Sequence, residues 1–282
     1  MSIFKSFKEG IKQVNSNKKM LLTLYIFNLI FALIITAPLY SFLSSILSKS
    51  LLAEDLTKKF NIKFLVELIP QHIDALRPFK GLILFSVCAF FLLSIFLAGG
   101  IIYRFQHQEE NRFLSKFFQG CGAYFLRFIR LMLISLICYS LVVIISLLIG
   151  LATGAFLPSP AFSFILPGII LLFLILLINM LFDYAKIKTV VEDKGRMFLT
   201  TLESFKFIFR HLGGTLGLYY LIFLLSLVLV FILIFIKNFI TPSNWGLIVL
   251  LFIWQQIIII AKLLIRMLFF SSQLQLYKRM VK

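Results

Sequence analysis

Acidic residues are scarce in this chain: 11 Asp and Glu stand against 28 Lys and Arg in 282 residues, a formal net charge of +17. Charge of either sign is missing altogether from five long runs. Leu131 to Phe182 is 52 residues without one Asp, Glu, Lys or Arg. The others are Met20 to Ser48, Gly81 to Tyr103, Leu212 to Ile236 and Asn238 to Ala261. Three cysteines, two of them in the charge-free runs, exclude a disulfide framework. Strict alternation of apolar and polar residues is also missing, which excludes a β-barrel. No basic region with a nucleic-acid motif stands outside the apolar runs, so the positive charge does not point to DNA or RNA.

What is present is enough apolar length for six membrane spans. A hydrocarbon core about 30 Å thick takes roughly 20 helical residues. The run from Leu131 is twice that, and Gly150, Gly154, Pro158, Pro160 and Pro167 in its middle are expected to break it into two helices. Pro167 is expected in the first turn of the second of these. The fold class is therefore all-α: a polytopic helix bundle forming one integral membrane domain over residues 1–282, without a cleaved leader. Its spans are expected at about 21–47, 81–103, 131–150, 163–182, 214–236 and 245–265, with an external loop at 48–80.

Orientation follows from the basic residues. With both termini in the cytoplasm, 21 of the 28 Lys and Arg fall on the cytoplasmic side and 7 outside. This asymmetry is the positive-inside pattern. It suits the anionic inner leaflet, where each basic residue near the surface contributes about 1 kcal/mol. The expected location is a bacterial plasma membrane, the many Phe, Ile and Lys suiting an AT-rich bacterial genome.

A weak repeat organises the chain. Ile3-Phe4-Lys5-Ser6-Phe7, Phe113-Leu114-Ser115-Lys116-Phe117 and Phe198-Leu199-Thr200-Thr201-Leu202 share one apolar and polar pattern, each 14 residues before a span. Apolar positions continue at helical spacing through Ile11 and Val14, through Cys121 and Tyr124, and through Phe205 and Phe209. Lys8, Lys12, Arg112, Lys116, Lys206 and Arg210 fall mainly on the other faces. The expectation is three hairpins, each preceded by a basic amphipathic helix at the cytoplasmic headgroup level. In the external loop, Leu56, Phe60, Phe64, Leu68 and Ile73 also recur at helical intervals.

Chemistry is thin. Neither HExxH, GxSxG nor a Walker A sequence occurs, and His72, His107 and His211 are far apart. His107 with Glu109 and Glu110 has ligand chemistry but reads as a solvated turn. Neither catalytic residue, cofactor nor metal site is expected. Gln255 and Gln256 sit near the midplane of the last span, where amides bond across helices. GxxxG at Gly150 to Gly154 and Gly213 to Gly217 is read as helix-end breaks rather than packing.

Asn28, Asn179, Asp183, Lys262 and Arg266 fall toward the cytoplasmic ends of their spans. Asn179 and Asp183, like Lys262 and Arg266, are four apart and share a helix face. If the two faces meet, they form a net basic pocket able to hold an anionic headgroup or a partner's acidic segment. The other reading of the same residues is a structural salt bridge with snorkelling cations.

Asp183-Tyr184-Ala185-Lys186, Val190-Val191-Glu192-Asp193 and Glu203-Ser204-Phe205-Lys206-Phe207 resemble a stretch of uncharacterised six-span bacterial membrane proteins. Some of those are similar to the membrane domain fused to glycerophosphodiester phosphodiesterases. The resemblance covers about 30 residues and no hydrolase domain, so it implies an accessory or envelope role and carries no catalytic residue. The function expected is a non-enzymatic membrane protein associated with anionic inner-leaflet lipids or organising a protein partner. A small-molecule permease is the alternative.

Overall fold

The computed structural model describes residues 2–47, 73–107, 112–156, 160–240 and 244–281. Among these residues there is no strand, and the helices follow in order: α1 (Ser2–Ser16), α2 (Lys18–Leu47), α3 (Ile73–Gln106), α4 (Phe113–Phe156), α5 (Pro160–Val191), α6 (Met197–Arg210), α7 (Leu212–Lys237) and α8 (Trp245–Val281). Six of them, all but α1 and α6, contain stretches long and apolar enough to cross a bilayer. The chain is a multi-pass, all-helical membrane protein.

The external-loop expectation over 48–72, together with Glu109, Glu110 and Pro158, lies outside the described residues. α3 already begins at Ile73, ahead of the charge-free run. The long apolar run does separate into α4 and α5, but not where the glycines stand. α4 passes through both Gly150 and Gly154, and α7 contains Gly213 and Gly217, so none of these four ends a helix. In hydrocarbon the helix is the conformation that satisfies backbone polar groups, and this outweighs glycine's weak propensity. Pro160, not Pro167, takes the first turn of α5; Pro167 lies inside the helix, buried, and its carbonyl accepts a hydrogen bond from Ser146 Oγ at 3.1 Å.

Of the three repeated segments, two form separate short helices. α1 is set off from α2 at Asn17 and α6 from α7 at His211. The middle one runs on into its span as a single helix of 44 residues. Its corresponding stretch is Phe125-Leu126-Arg127-Phe128, which carries no turn-forming residue to stop it.

The chain divides into two compact units. The first comprises 1–16, 95–224 and 266–282; the second comprises 17–94 and 225–265. Within the first unit α4 packs along α5, and α6 packs on both. α3 meets α4 there at close range. A Cβ on Gly100 would lie 2.5 Å from Cys121 Sγ and 2.8 Å from the Phe117 carbonyl, so only glycine permits this approach. Ile101, Phe105, Phe117, Cys121 and Phe128 are buried around it. Within the second unit the Phe31 and Phe90 rings meet at a tilt of 43°, centroids 5.6 Å apart, and Trp254 Nε1 donates to the Leu233 carbonyl at 2.9 Å.

Candidate lipid-facing site

In α1 the stripe Ser6, Gly10 and Gln13 is buried, while Phe4 and Ile11 are exposed. α6 follows the same rule: Met197, Thr200, Thr201, Ser204 and Ile208 face inward, and Phe198, Leu199, Leu202, Phe205 and Phe209 are exposed. The inward hydroxyls bond to carbonyls of their own helix, Thr200 to Arg196, Thr201 to Met197 and Ser204 to Thr200, at 2.8–2.9 Å. Small polar side chains satisfied in this way let helices approach where lipid supplies the apolar solvent. Lys5, Lys8, Lys12, Lys206 and Arg210 are exposed on the same two helices.

Gln13 is the junction of α1 with its neighbours. Its Nε2 donates to the Phe105 carbonyl at 2.7 Å, and its Oε1 accepts from Ser271 Oγ at 2.7 Å and Gln275 Nε2 at 3.0 Å. One amide therefore ties α1 to the end of α3 and to α8. Arg279 adds an ion pair to Glu9.

A clasp of charges holds the turn between α5 and α6. Lys188 Nζ lies 2.8 Å from Glu203 Oε2, and Lys194 Nζ lies 3.1 Å from Glu192 Oε2 and also pairs with Glu203. Tyr277 OH donates to Glu192. Hydrogen bonds from Lys188 and Lys194 hold the Glu203 carboxyl below the usual carboxylate range, and the bond to Glu203 raises the Lys194 ammonium. The turn itself ends α5 with Asp193 in the left-handed region, φ 48°, and with Lys194 N–H bonded back to the Thr189 carbonyl at 3.2 Å. Arg127 pairs with Asp193, and Tyr124 OH donates to it at 3.3 Å. Glu192, Asp193 and Glu203, read in the sequence as parts of a family-like stretch, thus come together here. A cavity of about 570 Å³ opens beside the clasp, lined by Glu192, Gln275, Tyr277, Lys278 and Arg279. Of its charged lining residues, Glu192 pairs with Lys188 and Lys194, and Arg279 pairs with Glu9.

Of the five polar residues expected to form an inner-leaflet pocket, Asn179, Asp183 and Arg266 fall in the first unit. Asp183 Oδ1 lies 3.2 Å from Lys186 Nζ. Lys186 Nζ also sits 5.8 Å from the ring centre of Phe270, one turn beyond Arg266. Tyr139 OH donates to Asn179 Oδ1 at 2.6 Å. The sequence reading missed Tyr139 and Lys186 as members of this cluster. Lys186 was discoverable as the next residue on the Asn179 and Asp183 face. Nothing in the sequence singles out Tyr139 from the other tyrosines.

Asn28 and Lys262 belong to the second unit, where Asn28 Nδ2 bonds the Leu24 carbonyl of its own helix at 2.8 Å and Lys262 is exposed. Of the midplane pair, Gln256 Oε1 accepts from Tyr25 OH at 3.0 Å, and Gln255 is exposed. His107 bonds the Tyr103 carbonyl at 3.2 Å. The chain matches no protein-family model, no curated protein and no solved structure, so its own geometry carries the functional reading.

Proposed function

We propose that this is a non-enzymatic integral protein of a bacterial plasma membrane, with both termini in the cytoplasm, that organises anionic lipid at the inner leaflet. The observation that carries the reading is the outward face of α1 and α6. Phe4, Ile11, Phe198, Phe205 and Phe209 are exposed there beside Lys5, Lys8, Lys12, Lys206 and Arg210. Bulky apolar groups flanked by cations on a short helix suit the boundary between acyl chains and acidic headgroups, with the helix amphipathic in the plane of the leaflet. The excess of Lys and Arg in the segments assigned to the cytoplasm supports the orientation. An accessory envelope role, the one implied by the resemblance to membrane domains fused to glycerophosphodiester phosphodiesterases, fits within this reading.

Native mass spectrometry on protein extracted gently from its own membrane tests it. Retained anionic phospholipid is the expected result. A bare protein that moves a solute across liposome membranes would overturn the reading in favour of a permease.

A further inference from the structure

The outward faces of α1 and α6 differ, and the difference indicates what each helix grips. Measured from the buried stripe of α6 at about 100° per residue, Phe198, Leu202, Phe205 and Phe209 centre at about 110°, Lys206 and Arg210 at about 200° and Glu203 at about 240°. Measured from Ser6, Gly10 and Gln13 of α1, Phe4 and Ile11 centre at about 140°, Lys5, Lys8 and Lys12 at about 225° and Glu9 at about 290°. Both helices show the same order in the same hand: bundle, apolar edge, cations, acid. Leu199 departs from it, lying exposed on the cationic side of α6.

The two acids show which way the apolar edges face. Glu203 pairs with Lys188, in the last turn of α5, and with Lys194 beyond it; Glu9 pairs with Arg279, in the last turn of α8. Both acids therefore point to span ends far from the charge-free runs. The apolar edges lie about 130° to 150° round from the acids and face back toward those runs. Depth agrees with this. Phe207 meets Tyr184, ring centroids 5.7 Å apart, and Tyr184 lies just past Phe182, where the charge-free run of α5 ends. Leu212, where the next such run begins, follows α6 directly after His211. The end of α6 that carries Phe205 and Phe209 thus stands at the edge of the hydrocarbon, where acyl chains meet it. The clasp on Glu203 and the packing of Phe207 against Tyr184 and Tyr277 hold α6 in place.

We propose that α6 is a fixed wedge among the acyl chains of the inner leaflet and selects loosely packed, doubly unsaturated lipid, whereas α1 selects the anionic headgroup. The inference rests on the lipid-organising reading above and divides its work between the two helices. Four large side chains on one edge beside two cations make α6 depend on chain packing; two large exposed side chains beside three cations make α1 depend on charge. A rigid wedge in one leaflet costs least where the chains already leave room.

Two measurements test the division. In the first, a fluorophore is attached at Phe205→Cys or at Lys206→Cys, in a chain with Cys88 and Cys138 replaced by Ser, and the protein is placed in vesicles of phosphatidylglycerol and phosphatidylcholine. Phospholipid brominated midway along its chains should quench the fluorophore at 205 and spare the one at 206. In the second, styrene–maleic acid polymer excises the protein from fluid vesicles holding both headgroups, each with dioleoyl or palmitoyl-oleoyl chains, and mass spectrometry reads the lipid around it. The native protein should be enriched in phosphatidylglycerol and in dioleoyl chains. Phe198→Ser with Phe205→Ser and Phe209→Ser should lose the chain preference and keep the headgroup preference. Lys5→Gln with Lys8→Gln and Lys12→Gln should lose most of the headgroup preference and keep the chain preference.

Equal quenching at 205 and 206 overturns the wedge, as does a native protein without chain preference. A fluorophore at 205 that is shielded from brominated chains and responds to protein concentration also overturns it, because another protein then covers the edge. Chain preference that survives the triple Phe variant, or that vanishes in the Lys variant, is equally fatal. If the triple Phe variant does not fold, the quenching comparison at single exposed positions decides. In each of these cases enrichment in phosphatidylglycerol leaves the broader reading standing, and a native protein enriched in neither lipid refutes both.

Discussion

Single side chains at two positions carry several contacts at once, and their replacement has definite consequences. Gln13 satisfies the Phe105 carbonyl and two side chains of α8, in a buried position where water cannot replace it. Gln13→Leu keeps the volume but strands these partners, and each unsatisfied buried group costs about 1–3 kcal/mol. A clear fall in detergent melting temperature is expected, and an unchanged melting curve would contradict the junction. Asp193 holds a left-handed backbone and also answers Arg127 and Tyr124. Asp193→Ala loses both the polar contacts and the conformational tolerance, whereas Asp193→Gly loses only the contacts. The alanine variant should therefore be the less stable of the two by about 1 kcal/mol.

At the level of elements, α6 is held to α5 by charges whose state depends on pH. Glu203 has a depressed carboxyl, so its stabilisation is present above the unfolded carboxylate value, about 4.3, and disappears as pH falls through the still lower folded value. Lys194 has a raised ammonium, so its contribution is complete below about 10.4 and is lost as pH rises through the folded value. Both side chains are about a third exposed, so solvent screens the pair and the effect is modest. Hydrogen exchange should accelerate in α6 at acid pH before it does in α4, and Glu203→Gln should remove that acid dependence. Equal pH sensitivity in the two helices would mean that the clasp does not hold α6.

The spans and the two short helices were legible in the sequence because charge-free length and helical spacing follow from bilayer thickness and helix geometry. The ends were less so. Gly150 and Gly154 read as breaks by propensity, but in lipid the unmet backbone would cost more than glycine does. Which side of α1 packs against its neighbours was not read from the sequence: Ser6, Gly10 and Gln13 are buried and Phe4 is exposed, the reverse of a water-soluble helix. Half of the candidate site, Asn179 with Asp183, was visible as a helical spacing. Tyr139 was not, because its pairing with Asn179 depends on how α4 lies along α5, and one sequence does not encode that in any local pattern.

For the whole molecule, the distribution of charge makes a statement about sidedness that a labelling experiment can reverse. Lys12 in α1 and Lys206 in α6 lie in segments that the proposed orientation puts in the cytoplasm, and Lys237 at the end of α7 lies in one that it puts outside. Cysteine placed singly at each position, in a chain whose exposed Cys88 and half-buried Cys138 are replaced by Ser, reports this directly. An impermeant thiol reagent added to intact cells should modify position 237 and leave 12 and 206 untouched until the membrane is opened. Cys121 can stay, since it is buried against Gly100. The inner-leaflet assignment stands on this sidedness. Modification of positions 12 and 206 from outside would move the basic face and the clasp to the outer leaflet. The same contacts would then meet a different lipid composition, and the anionic ligand proposed for them would have to come from that side.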